Sequence, residues 1–304
     1  MKKTPQFLDD GSAPGISVPL DRARVIILPV PLEETVSYLP GTASGPSKIL
    51  QASAQVELYD PERGSYPYRV GIHTAPQLDC RGAPEKVMDR IASTLAPWIA
   101  EDKVPVCLGG EHSVSFAPVR ALRERYPDLS VLHLDAHADL RDSYHGTKWS
   151  HACVMRRVAD LGVPSVAVGI RSVCEEEIRF VRESRIPFFP AWEHGERGYP
   201  WERVVRSLSD SVYVTLDLDA FDPSEMPAVG TPEPGGLSWF DAVKLFRLLA
   251  RSGKTVVGFD LVELCPMAGT AFAEYLAAKL LYKMISYFCP AERWARSSRI
   301  FANE

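Results

Sequence analysis

Strand-like apolar runs alternate with helix-like segments along most of this 304-residue chain, and this alternation constrains the fold more than any other feature. Several runs are continuous β-branched or apolar stretches, as expected for strands buried on both faces. The predicted strands are 24–28, 68–72, 104–108, 130–135, 165–169, 186–189, 212–217 and 255–261. Because helices cover the faces of a parallel sheet, the pattern predicts an α/β protein, a three-layer α/β/α fold with a mainly parallel sheet of about eight strands.

The segments between these strands have helical periodicity. In 84–100, Val87, Ile91, Leu95 and Ile99 recur every four residues and predict an amphipathic helix. Further helices are predicted at 113–125, 150–160, 174–184, 200–208, 238–251 and 270–287. No linker divides the pattern, so we expect a single domain over residues 1–304, with residues 1–23 as an N-terminal extension and residues 290–304 as a C-terminal tail.

Composition and charge indicate a folded, soluble protein of the cytoplasm. The net charge of −5 argues weakly against a nucleic-acid surface and favours a small cationic ligand. The six cysteines form no Cys-x-x-Cys pair, and the N-terminus has no apolar signal segment, which favours reduced thiols. The most apolar helical run, 270–288, is interrupted by Glu274, Lys279 and Lys283, so it predicts a packed helix rather than a membrane span.

Acidic residues and histidines follow several of the predicted strands. Asp135, His137 and Asp139 come at alternate positions after the apolar run 130–134. In an extended chain all three would point the same way, and two carboxylates with an imidazole suit Mn²⁺, Zn²⁺, Co²⁺ or Ni²⁺. A short pattern of this kind is equally typical of a polar strand end, in which an aspartate caps a helix and the histidine lies on the surface.

Three further strand ends carry the same types of residue. Asp217 and Asp219 follow the run 212–216, Glu111 and His112 follow the strand 104–108, and Glu263 lies just past the last strand. In an open parallel sheet, ligands bind outside the carboxyl ends of the strands. We therefore expect these side chains to meet at one edge and to form a metal site there.

Together these motifs resemble the ureohydrolase family, which comprises arginase, agmatinase and their relatives. The motifs occur in the family's order, and the resemblance extends from about residue 24 to residue 288; they are GGEHS at 109–113, DAHAD at 135–139, SH at 150–151, DLDAFDP at 217–223, TPEPGGL at 231–237 and DLVE at 260–263. The resemblance implies the three-layer α/β/α fold, two Mn²⁺ ions per chain, and hydrolysis of a guanidino group to urea and an amine.

The resemblance also implies a role for individual residues. One metal ion would be held by His112, Asp135, Asp139 and Asp217, and the other by Asp135, His137, Asp217 and Asp219. The implied catalytic residues are Asp139, His151 and Glu263. Of these, Glu263 would clamp the guanidinium group, and His151 would contact the substrate and carry a proton to the departing amine.

The substrate remains open among guanidino compounds. Our first choice is agmatine, hydrolysed to putrescine, or aminopropylagmatine, hydrolysed to spermidine, because the loop 141–149 lacks a clear set of groups for an α-amino acid, as arginase would need. Position 111 is Glu where many members have Asp, position 152 is Ala where many have Gly, and Ala228-Val229 replaces the usual Gly-Thr. The family also implies a homotrimer or homohexamer, and from the charge and the interrupted apolar run we expect no nucleic-acid or membrane partner.

Other hypotheses remain. A guanidino-acid hydrolase, an arginase or a formiminoglutamase would need a basic residue such as Arg141, Lys148 or Arg171 to reach the far carboxylate of its substrate. A single-zinc deacylase has the same architecture, but six candidate ligands favour two metals, and the complete ligand set argues against a non-catalytic protein. His133 is predicted as a packed core histidine facing away from the ligands, and His73, His145 and His194 as loop or surface residues.

Overall fold

Eight strands form one sheet in the computed structural model, which describes residues 4–9, 16–195 and 197–290. The strands are β1 (Val25–Val30), β2 (Ile72–Thr74), β3 (Val104–Gly109), β4 (Ser130–Leu134), β5 (Ser165–Val168), β6 (Phe188–Phe189), β7 (Ser211–Leu216) and β8 (Thr255–Leu261). Neighbouring strands pair in parallel throughout the described sheet. The prediction of a parallel eight-stranded sheet is confirmed.

The strand order is β2-β1-β3-β8-β7-β4-β5-β6, so the chain does not build the sheet in sequence. After β3 it crosses to β4 and continues outward through β5 and β6, and only then do β7 and β8 fill the space between β4 and β3. The four central strands β3, β8, β7 and β4 therefore come from distant parts of the chain. Their carboxyl ends lie side by side, which is where an open parallel sheet binds its ligands.

Helices cover both faces of the sheet and complete the three layers. They are α1 (Gly45–Ser53), α2 (Pro84–Ala100), α3 (Phe116–Arg125), α4 (Val154–Asp160), α5 (Glu175–Ser184), α6 (Ala191–His194), α7 (Trp201–Arg206), α8 (Trp239–Arg251) and α9 (Phe272–Phe288). One apolar core packs α1, α7, α8 and α9 against the sheet, and a second packs α2, α3, α4 and α5. In β4, for example, Leu132 and Leu134 belong to the first core and Val131 to the second.

The predicted strand 68–72 is wrong in position. Residues Pro67–Val70 form a 3₁₀ helix, and β2 begins only at Ile72. Pro67 has no N–H to give to a sheet, and Gly71, at φ 85°, turns the chain into the strand. The predicted helices 113–125 and 150–160 likewise begin with 3₁₀ turns, at His112–Ser115 and His151–Cys153. The short helix α6 was not predicted.

The ends of the chain were predicted as an extension (1–23) and a tail (290–304). Residues 1–3, 10–15 and 291–304 lie outside the described residues, so that prediction stays a prediction. The apolar run 270–288 forms the packed helix α9, as expected. Among the described residues, no helix is both long and apolar enough to cross a membrane.

Candidate metal centre and active site

The candidate site lies at the carboxyl ends of the four central strands. Asp135 follows β4, Asp217 follows β7, Glu263 follows β8, and His112 follows β3 after a short turn. That turn needs glycine, because a Cβ atom on Gly110 would lie 2.1 Å from the carbonyl oxygen of Leu32. Parallel pairing of β3, β8, β7 and β4 brings all four ends to one edge, as the sequence predicted.

His112 faces three carboxylates at once. Its Nδ1 atom lies 3.0 Å from Asp135 Oδ2, 3.1 Å from Asp139 Oδ2 and 3.3 Å from Asp217 Oδ2. Although Nδ1 is buried, none of these contacts is a hydrogen bond by its geometry, and the described residues offer this atom no other partner. Buried nitrogen atoms rarely lack a hydrogen-bond partner. The position of Nδ1 among three carboxylates therefore suits an atom whose lone pair binds a metal ion.

His137 belongs to a second group that shares Asp135. Its Nδ1 atom lies 2.9 Å from Asp219 Oδ2 and 3.6 Å from Asp135 Oδ1. The ligand atoms of Asp135, His137 and Asp219 all lie within 4.8 Å of one another, close enough to hold one ion. Asp217 joins the two groups from the neighbouring strand end, and its Oδ1 accepts a hydrogen bond from the backbone N–H of Asp219 at 2.8 Å.

The electrostatics of the site favour a cation. Burial opposes the charged form of His137, but Asp219 and Asp135 outweigh it and raise the pKa of His137 to about 12. Burial likewise opposes charge on His112, yet the carboxylates around it raise its pKa well above the ordinary value. Burial, with repulsion from Asp219 and Asp135, raises the pKa of Asp217 well above its usual range. Crowded carboxylates that bind protons this strongly also favour metal ions.

Glu263 lies beside the two groups. Its Oε1 atom accepts a hydrogen bond from the backbone N–H of His112 at 2.6 Å. Burial, reinforced by the nearby Glu111 carboxylate, raises the pKa of Glu263 well above its usual range. A positive group bound next to it would restore the charged form, so the position suits recognition of a cation.

His151 is the first residue of the 3₁₀ turn His151–Cys153. Its Nδ1 atom is 3.1 Å from Thr35 Oγ1, and its Nε2 atom is 2.9 Å from Ser37 Oγ. His151 lines the same cleft as His137, Asp139, Asp217, Asp219 and Glu263. The described fold thus brings every predicted site residue to one place, although the roles assigned to them remain predictions.

A wider cavity continues from this cleft. It has a volume of about 280 Å³ and shares Ser37, His137, Asp139, His151 and Thr231 with the cleft. Its outer wall is formed by Arg141, Tyr144, Val173, Cys174 and Glu177, among others. A ligand held at the strand ends therefore has room to extend toward the N-terminus of α5.

The prediction that His133 faces away from the ligands is wrong. His133 is buried as expected, with 1% of its surface exposed, but its Nε2 atom lies 2.8 Å from Asp135 Oδ2. Residues two apart in an extended chain share a face, so His133 lies on the same side as Asp135. The i, i+2 spacing of His133 and Asp135 was the signal that could have shown this.

Two further contributors had weaker sequence signals. Asp260 accepts hydrogen bonds from Tyr213 Oη at 2.7 Å and Thr215 Oγ1 at 2.8 Å, and Thr215 Oγ1 lies 2.8 Å from His112 Nε2. Arg171 donates to the carbonyl oxygens of Asp219 and Glu233, both at 2.7 Å. Asp260 stands within the motif DLVE, but Arg171 belongs to no motif noted in the sequence.

The fold and this cluster define an α/β/α protein with a candidate metal centre at the carboxyl edge of its sheet. Comparison with known proteins identifies the family. A family model described as "Arginase family" matches residues 23–286. The chain therefore belongs to the arginase family, and the resemblance seen in the sequence is confirmed.

Individual relatives match over nearly their whole length. The N(1)-aminopropylagmatine ureohydrolase of Synechocystis sp. is 39% identical over 279 residues, which cover 89% of this chain and 91% of that one. The protein of the same description from Thermus thermophilus is 42% identical over 268 residues, which cover 88% and 91%. Among solved structures, the agmatine ureohydrolase of Thermoplasma volcanium superposes with a TM-score of 0.83 at 31% identity, covering 98% of this chain and 96% of that one.

These findings establish the type of reaction. The chain is an enzyme of the ureohydrolase type, which hydrolyses a guanidino group to urea and an amine. The predicted fold class and the predicted reaction are both confirmed.

Proposed function

We propose that the chain is a dinuclear manganese amidinohydrolase that converts agmatine to putrescine or aminopropylagmatine to spermidine. The observation that carries the proposal is the convergence of two histidines and four aspartates beside the partly buried carboxylate of Glu263. In the proposal one ion is held by His112, Asp135, Asp139 and Asp217, and the other by Asp135, His137, Asp217 and Asp219.

The donor set suits two divalent cations. The unpartnered Nδ1 atom of buried His112 supplies a nitrogen lone pair, and the four aspartates supply oxygen ligands of the kind that Mn²⁺ prefers. The charges of the four carboxylates offset those of two divalent ions, so the buried site stays close to neutral. When bound, the ions would lower the pKa of water toward neutrality and so supply a nucleophile at physiological pH.

Glu263 recognises the guanidinium group in this proposal. A carboxylate matches the planar fork of a guanidinium with two parallel hydrogen bonds, and its charge holds a delocalised cation that is otherwise a poor electrophile. The hydrogen bond from the His112 N–H fixes Glu263 Oε1, so the carboxylate is held in place before the substrate binds. Orientation of this kind lowers the entropic part of the barrier.

His151 moves the proton in this proposal. The leaving amine must gain a proton as its C–N bond to the guanidino carbon breaks, and an imidazole is suited to transfer it near neutral pH. His151 and Glu263 line the same cleft, and the exposed hydroxyl of Ser37 lies 2.9 Å from His151 Nε2.

The cavity beyond the cleft supports a long, cationic substrate. Its volume of about 280 Å³ leaves room for the carbon chain and distal amine of a polyamine precursor. Arg171, one of the residues that could have bound a carboxylate, instead donates to backbone carbonyl oxygens. Lys148 is largely exposed and lies 3.9 Å from Asp142. The relatives named as aminopropylagmatine ureohydrolases also favour this substrate.

One observation favours a guanidino acid as a second candidate. Arg141 lines the cavity, where its guanidinium lies 5.1 Å from the centre of the Tyr144 ring. A cation at this point would attract a distal carboxylate and repel a distal amine. The variant Arg141→Gln separates the two candidates, because it should weaken binding of a guanidino acid but not of agmatine.

The test is urea release by the Mn²⁺-loaded protein from agmatine, aminopropylagmatine, arginine, guanidinobutyrate, guanidinopropionate and guanidine, with formamide scored for formiminoglutamate. We expect agmatine or aminopropylagmatine to have the highest kcat/KM. A higher value for a guanidino acid would overturn the substrate assignment. Inactivity toward the whole panel would overturn the proposal itself.

We also propose that the enzyme is a single-domain homotrimer or homohexamer of the cytoplasm. The family is the basis for the oligomer, and the six free cysteines agree with a reducing compartment. Light scattering during size-exclusion chromatography would measure the mass of the assembly. A monomer at micromolar concentration would contradict the oligomer.

A further inference from the structure

A chain of hydrogen bonds leads away from His151 into the protein. On the side of the ring away from Ser37, Thr35 Oγ1 lies 3.1 Å from His151 Nδ1 and accepts a hydrogen bond from the His151 backbone N–H at 3.0 Å. The same hydroxyl donates to Glu111 Oε1 at 3.0 Å. Glu111, Thr35 and His151 thus form one connected series, although they are far apart in the sequence.

The direction of these bonds follows from counting protons. The Thr35 hydroxyl has a single proton, and a carboxylate oxygen can only accept one. If that proton pointed to His151, two acceptors, Thr35 Oγ1 and Glu111 Oε1, would face each other without a proton between them. The proton therefore lies toward Glu111, and Nδ1 of His151 must carry its own proton and donate it to Thr35.

The consequence is a defined tautomer of His151. With the proton on Nδ1, the neutral ring has its lone pair on Nε2, the atom next to Ser37 at the cleft. The one competing partner of Nδ1 among the described contacts is Ser150 Oγ, at the longer distance of 3.4 Å. A proton carrier needs its basic atom toward the substrate, and this tautomer provides it.

Glu111 is firmly anchored as the end of the series. It is buried with 1% of its surface exposed, and its Oε2 atom accepts hydrogen bonds from the backbone N–H groups of Glu34 at 2.6 Å and Thr35 at 2.7 Å. Ser113 Oγ donates to Oε1. All of these partners are donors, so the carboxylate holds both the loop that carries Thr35 and the hydroxyl itself.

We propose that Glu111 and Thr35 are positioning residues that set the tautomer and the orientation of His151 for proton transfer. The kinetic part of this inference rests on the proposed function, in which His151 carries the proton. As Nε2 takes up a proton and the ring becomes positive, the Glu111 carboxylate stabilises the charge through Thr35. The same logic orients a catalytic histidine through a buried carboxylate in hydrolytic triads, here with a hydroxyl between the two groups.

The kinetic test compares Thr35→Val, which keeps the shape but removes the hydroxyl, with Thr35→Ser, which keeps the hydroxyl. We expect Thr35→Val to lower kcat by about 10- to 100-fold, part of the effect of a general acid. KM and the metal content should change little, because neither Glu263 nor the proposed ligands contact Thr35 in the described structure. Thr35→Ser should recover most of kcat, and the control Thr94→Val, on α2, should behave as the wild type.

A double variant tests whether Thr35 acts through His151. In a His151→Gln background, Thr35→Val should cause no further loss of kcat, because residues that act as a unit are not additive. An unchanged kcat for Thr35→Val would overturn the proposal. So would an equal loss in Thr35→Ser, or a full additional loss in the His151→Gln background.

A spectroscopic test is independent of the enzyme's activity. In the full chain loaded with diamagnetic Zn²⁺ and labelled with ¹⁵N-histidine, the signals of His151 are assigned by their loss in His151→Gln. We expect an Nδ1-protonated neutral ring in the wild type and in Thr35→Ser, and a changed tautomer population in Thr35→Val. An Nε2-protonated ring in the wild type would refute the proposal. If no substrate released urea but the expected tautomer were found, the proposed function would fail and the positioning would stand.

Discussion

At the scale of single residues, two of the proposed site residues have a strained backbone. Asp139 has φ 53° and Glu263 has φ 65°, in the left-handed region that non-glycine residues rarely adopt. Tertiary hydrogen bonds hold both: the Asp139 carbonyl accepts from Met155 N at 3.0 Å, and Glu263 N donates to Gly110 O at 2.8 Å. These hydrogen bonds maintain a backbone conformation that costs about 1–3 kcal/mol at two residues whose carboxylates line the cleft.

We expect Glu263→Gln to separate substrate recognition from metal binding. The amide keeps the shape of the side chain but lacks the charge that binds a guanidinium. We expect this to cost about 2–5 kcal/mol of binding free energy, which lowers kcat/KM roughly 30-fold or more. Metal content should be unchanged, because Glu263 is not a proposed ligand. The measurement is steady-state kinetics with metal analysis, and Glu183→Gln, on the exposed side of α5, is the control. An unaltered kcat/KM would remove Glu263 from the site.

We expect Asp219→Ala to lower the Mn²⁺ content and the activity together. Asp219 supplies the carboxylate nearest to His137, so one of the two proposed ions would lose a ligand while the His112 group stays intact. Metal per chain measured by mass spectrometry should fall toward one. Asp210→Ala, at an exposed turn, should retain two ions. Full activity with one ion per chain would contradict a dinuclear site.

At the scale of elements, an ionic cluster ties the loop 60–65 to α9. Lys283 Nζ lies 2.7 Å from Asp60 Oδ1 and 2.9 Å from Glu62 Oε2, and Ser286 donates to Asp60 at 2.7 Å. Burial opposes the charge on Glu62, but Tyr287, Lys283 and Arg247 outweigh it and lower its pKa to about 2. The pKa of Asp60 is also lowered, because Lys283 and Ser286 outweigh burial.

These shifts predict how stability depends on acid. A carboxylate with a lowered pKa stabilises the fold above its unfolded value, 4.5 for Glu and 3.8 for Asp, and the stabilisation is lost as the pH falls through the folded value. In urea titrations, the free energy of unfolding should fall progressively from about pH 5 down to the folded pKa of Glu62, about 2. In Lys283→Met this fall should be smaller and the protein less stable at pH 7, whereas Lys244→Met, on an exposed position of α8, should match the wild type. Equal slopes would exclude a role for the cluster.

Arg171 links elements around the proposed centre. Its guanidinium donates to carbonyl oxygens of Gly169 at the end of β5, of Asp219 and Phe221 in the turn after β7, and of Glu233 in the following loop. A single side chain thus holds three segments that approach His137 and Asp219. Charge-assisted hydrogen bonds of this kind are shorter and stronger than neutral ones, so Arg171 stiffens the turn that presents Asp219.

At the scale of the whole molecule, the proposed ions join the ends of strands that lie far apart in the sequence. The ligands follow β3, β4 and β7, which lie at positions three, six and five of the sheet. We expect removal of the ions by a chelator to lower Tm and added Mn²⁺ to restore it, because an ion that binds only the folded state stabilises it. Calorimetry measures the shift, and Asp219→Ala should give a smaller one. An unchanged Tm in the wild type would argue against a bound ion.

The sequence by itself was sufficient for the fold class and the reaction type, and it predicted the proposed ligands. Alternation of buried strands and amphipathic helices is a local property, and Asp135, His137, Asp217 and Asp219 follow strands whose parallel pairing forces them to one edge. The apolar pattern predicted the wrong position for the strand at 68–72, because Pro67 and Gly71 produce a 3₁₀ turn before the strand begins.

Only the tertiary structure decided which residues support the candidate site. Thr35, Glu111 and His151 meet because loops from separate crossovers converge at the cleft, and Arg171 reaches the carbonyl oxygens of Asp219 and Glu233 across 48 and 62 residues of sequence. Such contacts depend on loop paths and side-chain direction, which leave no periodic trace in the sequence. The residues at the strand ends can therefore be predicted from the sequence alone. The hydrogen bonds that orient the side chains of the site can be seen only in the folded molecule.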